Sequence, residues 1–350
     1  MKYFIKTFGC QMNFSDSERI HTLMQECGFK YSKDIDDADH IIINTCGVRQ
    51  TAEDRLYGHV QNIRKKNKDV VITVTGCLAR REDIKRKLKS KVNFFIPTDN
   101  ILDLPKKLGV NGKVNSRDTA HYLDLQPQYT YKDSIFMPIM TGCDNFCSYC
   151  VVPYARGRER SRPVKNIADE IAKARSNNTK NILLLGQNVN SYSYDGISFV
   201  RLLEKLVQLF SGMNFSFLTS HPKDFSDGLI DTIAKHDNIS RHIHLPMQSG
   251  SDNILKAMSR KYTCEHYLNI ISKIRLAIPD STISTDVIVG FPGETEKEFQ
   301  QTVNVFKMVN FSGAFINKYS SRPGTSAEKL GDPVLWKEKK RRAEILRSCL

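Results

Sequence analysis

The 350-residue chain predicts an α/β protein of two units, a doubly wound parallel sheet of the Rossmann or flavodoxin type followed by a partial (β/α)6 barrel of the TIM type. Three observations point there. Short apolar runs alternate with helix-period stretches along most of the chain, which implies parallel strands joined by crossover helices. The length exceeds what one ordinary core takes and suits two. The alternation breaks once, over 111–133, where "NGKVNSRDTAHYLDLQPQYTYKD" is polar and lacks a clear period.

Taken in order, "KYFIKTFGC" reads as a strand and "SDSERIHTLMQECGF" as a helix. Ser15 is its expected N-cap, with Glu18 three residues on in a capping-box pattern. "HIIINTCG" is a second strand built on the consecutive Ile41, Ile42 and Ile43, followed by the helical "QTAEDRLYGHVQNIRKKN". "DVVITVTGC" is a third strand and "REDIKRKLKS" the helix after it. The first unit is expected over 1–115 and a linker over 116–133. From 134 to 330 the candidate strands are "SIFMPIM", "NILLLGQ", "NFSFLT", "RHIHLPM", "TISTDVIVG" and "GAFINKYS", separated by helical stretches such as "KNIADEIAKARS" and "FVRLLEKLVQLF". Six such βα units are too few to close an eight-stranded barrel, and they fit an open one whose site lies at the C-terminal strand ends. Those ends run out into "TGCDNFCSYC", "GQNVNSY", "SHPKD", "PMQSGS", "GFPGET" and "YSSRPGT". One rim thereby collects glycines, amides, hydroxyls and three cysteines. A basic helix is expected over 331–350.

Composition narrows the class. Lysine and arginine number 52 against 38 acidic residues, a net +14 with a pI near 9.3, which suggests a polyanionic partner such as nucleic acid. The 40% apolar and 26% charged content is that of a globular chain. No apolar run approaches the roughly 18 residues of a membrane span, and "MKYFIKTFGC" lacks the features of a signal peptide. A cytoplasmic chain is the reading, and there nine cysteines point to metal binding or catalysis rather than disulfides.

"GCDNFCSYC" places Cys143, Cys147 and Cys150 in a C-x3-C-x2-C spacing. On a helix these would share one face and pack as core, but Gly142, Asp144, Asn145 and Ser148 favour a loop. Zinc wants four ligands, and no second cysteine pair lies close by. Three thiolates suit a 4Fe-4S cluster with three irons held by protein and the fourth left open. Cys10, Cys46 and Cys77 stand at the ends of three successive strands, at intervals of 36 and 31 residues. Each interval is about one βαβ unit, roughly 30 residues or more. In a parallel sheet the strand C-termini lie along one edge, where ligands bind, so three thiols distant in sequence can converge. Gly9, Gly47 and Gly76 adjoin them and permit tight turns. Three independently buried cysteines are the plainer alternative; a second three-thiolate cluster accounts for their shared position. Cys27, Cys264 and Cys349 match no cluster pattern.

A C-x3-C-x2-C loop after the first strand of a six-unit barrel resembles the radical S-adenosylmethionine (SAM) superfamily. "TFGCQMNFSDSERI", "NTCGVR", "VTGCLA" and "GCDNFCSYCVVPYARGRERSRP", extended by "LLGQNVNSY", "HLPMQSGSDNILKAMSRKYT" and "DVIVGFPGET", resemble the radical SAM methylthiotransferase family over essentially 1–330, closest to its MiaB-type tRNA branch. The resemblance implies that Cys143, Cys147 and Cys150 hold a SAM-cleaving 4Fe-4S cluster and that Cys10, Cys46 and Cys77 hold an auxiliary 4Fe-4S cluster. SAM would serve both as methyl donor and as source of the 5′-deoxyadenosyl radical. The target would be C2 of N6-isopentenyladenosine, just 3′ of the anticodon in tRNA. An electron donor such as flavodoxin or ferredoxin, iron-sulfur assembly or sulfur-carrier proteins, and a monomeric enzyme are further implications. Related branches modify threonylcarbamoyladenosine in tRNA or an aspartate of a ribosomal protein, and the basic charge favours RNA. From a different class, a non-catalytic iron-sulfur or zinc protein that binds RNA fits the same cysteines.

Weaker candidates complete the rim. Gln187 and Asn188 follow the second barrel strand, Ser220 and His221 the third, Gln248 and Ser249 the fourth, all placed to bind SAM; each also fits a plain polar cap on a strand end. Gly290 and Gly293 in "GFPGET" let backbone amides approach the adenine or turn the chain. "ARGRERSRP" sets Arg156, Arg158, Arg160 and Arg162 at alternating positions, and guanidinium groups bind phosphate bidentately, which makes them candidate tRNA contacts. A solvated charge run explains them equally well. The chain ends in the basic helix "WKEKKRRAEILRSCL", where members of the resembled family normally continue into a small RNA-gripping β-barrel, the TRAM domain. "YSSRPGT" carries Ser321 where that family has proline.

Overall fold

The structure, a computed structural model, describes residues 1–48, 50–110, 121–129 and 133–350. The first unit runs β1 (Lys2–Thr7), α1 (Gln11–Glu26), β2 (Lys30–Tyr31), β3 (His40–Thr45), α2 (Gln50–Lys66), β4 (Val71–Gly76), α3 (Glu82–Leu88), β5 (Phe94–Phe95) and α4 (Leu104–Lys107). Its five strands pair in parallel in the order β2-β1-β3-β4-β5. This is a doubly wound order whose winding reverses between β1 and β3, the place where such sheets bind ligands. Every residue of β3 is buried, because helices cover both faces of the sheet. Ile41 and Ile43 enter the core under α2 and α3, and Ile42 enters the one under α1. An unbroken isoleucine run is what a strand with two apolar faces requires.

Helix α1 departs from the sequence expectation. It begins at Gln11 with Cys10 as its N-cap residue, not at Ser15. Ser15 lies inside the helix, its hydroxyl donating across to the Phe136 carbonyl at 3.2 Å. The first turn carries no apolar periodicity because its buried face is polar: Asn13 is fully enclosed and bonded to Asn44. Part of the stretch expected as a linker is also packed. Tyr122, Leu123 and Leu125 join the core of Ile20, Leu23 and Ile101. The expected boundary at 115/116 lies outside the described residues.

The second unit runs β6 (Ser134–Pro138), β7 (Met140–Thr141), α5 (Val152–Arg156), β8 (Arg160–Ser161), α6 (Val164–Ser176), β9 (Asn181–Leu185), β10 (Ser193–Tyr194), β11 (Ile197–Ser198) and α7 (Phe199–Leu209). It continues with β12 (Asn214–Phe217), α8 (Asp227–Lys235), β13 (His242–His244), α9 (Asp252–Ala257), α10 (Cys264–Ala277), β14 (Thr282–Val289), α11 (Glu296–Val309), β15 (Gly313–Lys318) and α12 (Trp336–Arg347). Parallel pairing links β6-β9-β12 and β13-β14-β15, and a parallel bridge from Phe215 to Ile239 joins the two arcs. The six long strands thus follow chain order in one open barrel. "SIFMPIM" is not one strand: Pro138 ends β6, and β7 turns to pair antiparallel with β8, bracketing the C-x3-C-x2-C loop.

Buried charge joins the units. Arg19 of α1 donates two hydrogen bonds from Nη2 to the Glu170 carboxylate of α6, at 2.8 and 2.9 Å, and Arg162 adds a third at 2.6 Å. Tyr129 also donates to Glu170. The Arg19 and Glu170 side chains are fully enclosed. Glu170→Ala leaves two guanidinium groups buried without their counter-charge, so it is expected to destabilise the protein by about 3–5 kcal/mol. An anaerobic urea titration checks this, and a loss under about 1 kcal/mol would contradict the role given to the pair.

Candidate metal centres

The ends of β1, β3 and β4 are neighbours in the sheet, about 4.8 Å apart from strand to strand, and each runs into a cysteine: Cys10, Cys46 and Cys77. Close approach follows directly. A Cβ at Gly9 would stand 2.7 Å from Cys46 Cβ, and one at Gly47 would stand 3.2 Å from Cys77 Cβ. The three thiols therefore share one spot at the winding reversal of the sheet. Beneath them, Asn44 Nδ2 donates to the Asn13 carbonyl at 2.7 Å and to Ser17 Oγ at 2.9 Å. Asn13 Oδ1 faces the backbone N–H of Cys10 at 3.4 Å and its thiol at 3.5 Å.

Cys10 is exposed, whereas Cys46 and Cys77 are buried. The Cys46 thiol donates to Cys10, and with Arg156 and the N–H groups of Asn13 and Met12 this lowers the Cys10 thiol to about 6 despite partial desolvation. The same bond, together with burial and the neighbouring Cys77, holds the Cys46 thiol well above its ordinary value. Three sulfurs competing for charge in one enclosed space is an arrangement that a bound cation relieves.

The second set lies on the loop after β7. Gln187, at the end of β9, accepts the Gly142 N–H at 2.6 Å, and the Gly157 carbonyl accepts the Cys143 N–H at 3.1 Å. Ser148 fastens the far side, donating its N–H to the Met258 carbonyl at 3.0 Å and its hydroxyl to the Ala257 carbonyl at 2.8 Å. Arg260 stacks on Tyr262 and points Nη1 at Cys147 Sγ, 3.6 Å away. Asn145 Nδ2 lies 3.6 Å from Cys143 Sγ, and the Val152 N–H lies 3.4 Å from Cys150 Sγ. Burial pushes the Cys143 thiol up, and burial plus the charges of Cys147 and Cys143 pushes Cys150 up to about 12. Among the described residues no three Cys, His, Asp or Glu side chains close on a point tightly enough for one ion. A 4Fe-4S cube takes each thiolate on a separate iron, so its ligands stand further apart, and both all-cysteine triplets fit that donor set.

The two triplets are neighbours. Val151 follows Cys150 directly, and its Cγ2 lies 3.6 Å from where a Gly47 Cβ would be. Arg322, from the loop after β15, donates to Gln50 Oε1 at 2.6 Å and to the Val48 carbonyl at 3.1 Å, pinning the segment after Cys46 to the barrel.

The remaining rim candidates divide. Asn188 donates to Asp224 at 2.8 Å, while its Oδ1 and the Ser220 hydroxyl are buried with no hydrogen-bond partner among the described residues. Such orphaned polar atoms at strand ends fit contacts to a polar ligand. Gln248 adopts a left-handed backbone, φ 64°, and its side chain makes no hydrogen bond among the described residues. His221 caps the turn at Pro222–Asp224, and burial, with Arg260 nearby, lowers it to about 2, so it is neutral. Ser249 is engaged with Thr302 and the Ser251 N–H. Gly290 is not free to approach a ligand: its N–H goes to Glu294, and a Cβ there would stand 2.5 Å from Lys339 Cγ of α12. Lys339 is buried, so this glycine, at φ 73°, serves the packing of the C-terminal helix.

The arginine run does not present one face. Arg156 and Arg162 are buried, paired with Asp16 and Glu170 at 2.6 Å each, because the chain folds back between α1 and α6 there. That corrects their assignment to an RNA-facing edge. Arg158 and Arg160 are exposed. Arg158 lies over the Phe146 ring at 5.6 Å, and Phe146 meets Tyr154 edge-on at 6.0 Å. Phe146 and Tyr154 are 39% and 49% exposed, large apolar groups left in water beside the cysteine loop. Arg160 lines a cavity of about 250 Å³ with His121 and Tyr194.

Sequence reasoning missed the residues that fix these sites: Asn13, Asn44, Asp16, Arg260 and Arg322. Asn13 and Asp16 sit in "CQMNFSD", whose polar residues just after a cysteine and within the first turns of α1 were the available signal.

The chain has relatives over nearly its whole length. The profile described as Radical SAM superfamily matches residues 137–306, and one described as Uncharacterized protein family UPF0004 matches 2–96. The tRNA-2-methylthio-N(6)-dimethylallyladenosine synthase of Parabacteroides distasonis is 43% identical, over 98% of this chain and 79% of the relative. The protein of the same name from Clostridium botulinum strain Okra is 43% identical over 95% of this chain and 78% of the relative. Among solved structures, the radical S-adenosylmethionine methyltransferase TsrM from Kitasatospora setae, with cobalamin and a [4Fe-4S] cluster bound, superposes with a TM-score of 0.65. It is 13% identical and covers 93% of this chain and 76% of that one, a likeness of fold alone.

In metal-free protein, Cys10 is expected to alkylate with a midpoint near pH 6, since its thiolate is already formed at neutrality, while Cys46 stays protonated and unmodified at pH 7. Peptide mass spectrometry after iodoacetamide pulses checks this; a Cys10 midpoint near the ordinary thiol value of about 8.5 would contradict it.

Proposed function

The chain belongs to the family of tRNA-2-methylthio-N(6)-dimethylallyladenosine synthases, and from that we propose that it converts N6-isopentenyladenosine, just 3′ of the anticodon in tRNA, to its 2-methylthio derivative. The observation that carries the reading is the side-by-side placement of two cysteine triplets, Cys10–Cys46–Cys77 and Cys143–Cys147–Cys150, one on each unit. When bound, a 4Fe-4S cluster and SAM at Cys143, Cys147 and Cys150 supply the radical that removes hydrogen from an inert C–H bond, and a second cluster at Cys10, Cys46 and Cys77 supplies the sulfur that is methylated and transferred.

The chain's own residues do the positioning. Gln187 and Ser148 hold the two sides of the cysteine loop in place. Arg260 places its guanidinium against Cys147 Sγ. Asn188 and Ser220 offer buried, unsatisfied polar atoms to the amino acid and ribose of SAM, and Gln248 lies beside them on the same rim. Because Gly47, next to Cys46, packs against Val151, next to Cys150, the two triplets stand beside each other, which is the proximity this two-part chemistry requires.

Residues 1–115 carry the sulfur-supplying site and 134–330 the radical site in this account. The net charge of +14 supports a polyanionic substrate. Arg158 and Arg160 take the phosphates, and the exposed Phe146 and Tyr154 offer rings on which unpaired bases stack. The reaction also needs a one-electron donor such as flavodoxin or ferredoxin, and a sulfur source such as iron-sulfur assembly or sulfur-carrier proteins. We take the monomer as the working unit and the cytoplasm as its compartment. Among the described residues no helix is long and apolar enough to cross a membrane.

Cells lacking the gene are expected to accumulate N6-isopentenyladenosine and lose its 2-methylthio form in tRNA hydrolysates analysed by mass spectrometry. Normal levels of the methylthio nucleoside would refute the assignment. The double variant R158E/R160E is expected to weaken tRNA binding and to lower the slope of log K against log salt by about 2, one unit for each lost phosphate contact. An unchanged slope removes these arginines from the interface.

A further inference from the structure

Arg156 closes α5, the helix that starts two residues after Cys150, yet its guanidinium pairs with Asp16 of α1, the helix capped by Cys10 of the other triplet. Its Nη2 lies 2.6 Å from Asp16 Oδ2 and its Nη1 lies 3.3 Å from the Tyr122 hydroxyl, with both charged side chains buried. The helix packs against the turn Cys77–Arg80. Asp16 sits on α1 six residues after Cys10, and its second oxygen, Oδ1, is buried with no hydrogen-bond partner among the described residues. The pair is therefore a buried dipole set between α1, whose N-cap residue is Cys10, and the turn that begins at Cys77.

We propose that the Arg156–Asp16 pair is a positioning element that fixes the Cys10–Cys46–Cys77 triplet against the Cys143–Cys150 loop and sets the reduction potential of an iron-sulfur cluster bound at that triplet. The inference rests on the reading of those three cysteines as ligands. Potentials of such clusters respond to the charge and hydrogen bonding around their sulfurs, and at low local dielectric a fixed charge acts with little screening. A positive charge favours the reduced, more negative cluster and raises the potential. Arg156 thus pushes it up, and Asp16 holds part of that push back. The two residues act in opposite directions on one observable, although both are needed for the same contact.

The test uses the full-length chain carrying C143A/C147A/C150A, so that only the Cys10–Cys46–Cys77 cluster is present, reconstituted with iron and sulfide. Its midpoint potential is read by anaerobic redox titration followed by electron paramagnetic resonance. R156M is expected to shift the midpoint down, D16N to shift it up, and R156K to stay near the parent. Shifts of the same sign in R156M and D16N, or no shift in either with the cluster intact, would overturn the proposal, because a purely structural pair predicts that. Should R156M fail to fold, D16N alone decides: it is isosteric, keeps the hydrogen bond to Arg156, and must raise the midpoint. A parent that binds no iron overturns the ligand assignment itself, and this inference with it.

Discussion

Two arginine–carboxylate contacts, Arg156 with Asp16 and Arg19 with Glu170, bind helix α1 to the barrel, and the placement of all six cysteines depends on them. Helix α1 begins at Gln11, directly after Cys10, and Arg156 lies on α5, which begins two residues after Cys150. Each contact crosses the boundary between the units and each is buried. Buried ion pairs contribute little net stability, since desolvation offsets most of the attraction, and apolar residues of similar volume would do as well. What charge adds is selectivity of register. A guanidinium displaced by one helical turn loses its partner inside a closed interface at a cost of several kcal/mol, whereas leucines would slide and repack. The interface therefore has one good alignment, which brings Gly47 against Val151 and one triplet beside the other.

Within each unit the cysteines are placed by strand geometry. Parallel strands end on one edge, so three thiols at successive ends converge without any local sequence motif linking them. The buried isoleucines of β3 hold that strand from both faces, and the Asn13–Asn44 bonds fix the turn below Cys10. On the barrel the three cysteines lie within one loop, held from outside by Gln187, Ala257, Met258 and Arg260.

Much of this was legible in the residues. The C-x3-C-x2-C loop announces itself by spacing, and Cys10, Cys46 and Cys77 announce themselves by recurring after each apolar run. The three central strands of the first sheet and the six strands of the open barrel followed from periodicity, whereas the two-residue edge strands β2 and β5 and the break of "SIFMPIM" at Pro138 did not. Nor did the start of α1, because its first turns bury Asn13, Ser15 and Asp16 in polar pairings. Arg156 and Arg162 were read as solvent-facing from their alternation with Arg158 and Arg160; two of the four turn inward only because Asp16 and Glu170, 140 and 8 residues away in sequence, wait there. Gly290 was read as a ligand contact, but its partner is Lys339 on a helix 49 positions later. Pairings of that range carry no local pattern.

The central claim is that two separate cysteine triplets each hold a cluster. Iron and sulfide analysis of anaerobically reconstituted protein, wild type beside Cys46→Ala, tests it most directly. Two 4Fe-4S clusters give about eight irons per chain, falling to about four when one triplet loses a ligand. About eight irons retained in Cys46→Ala would contradict the account at its base.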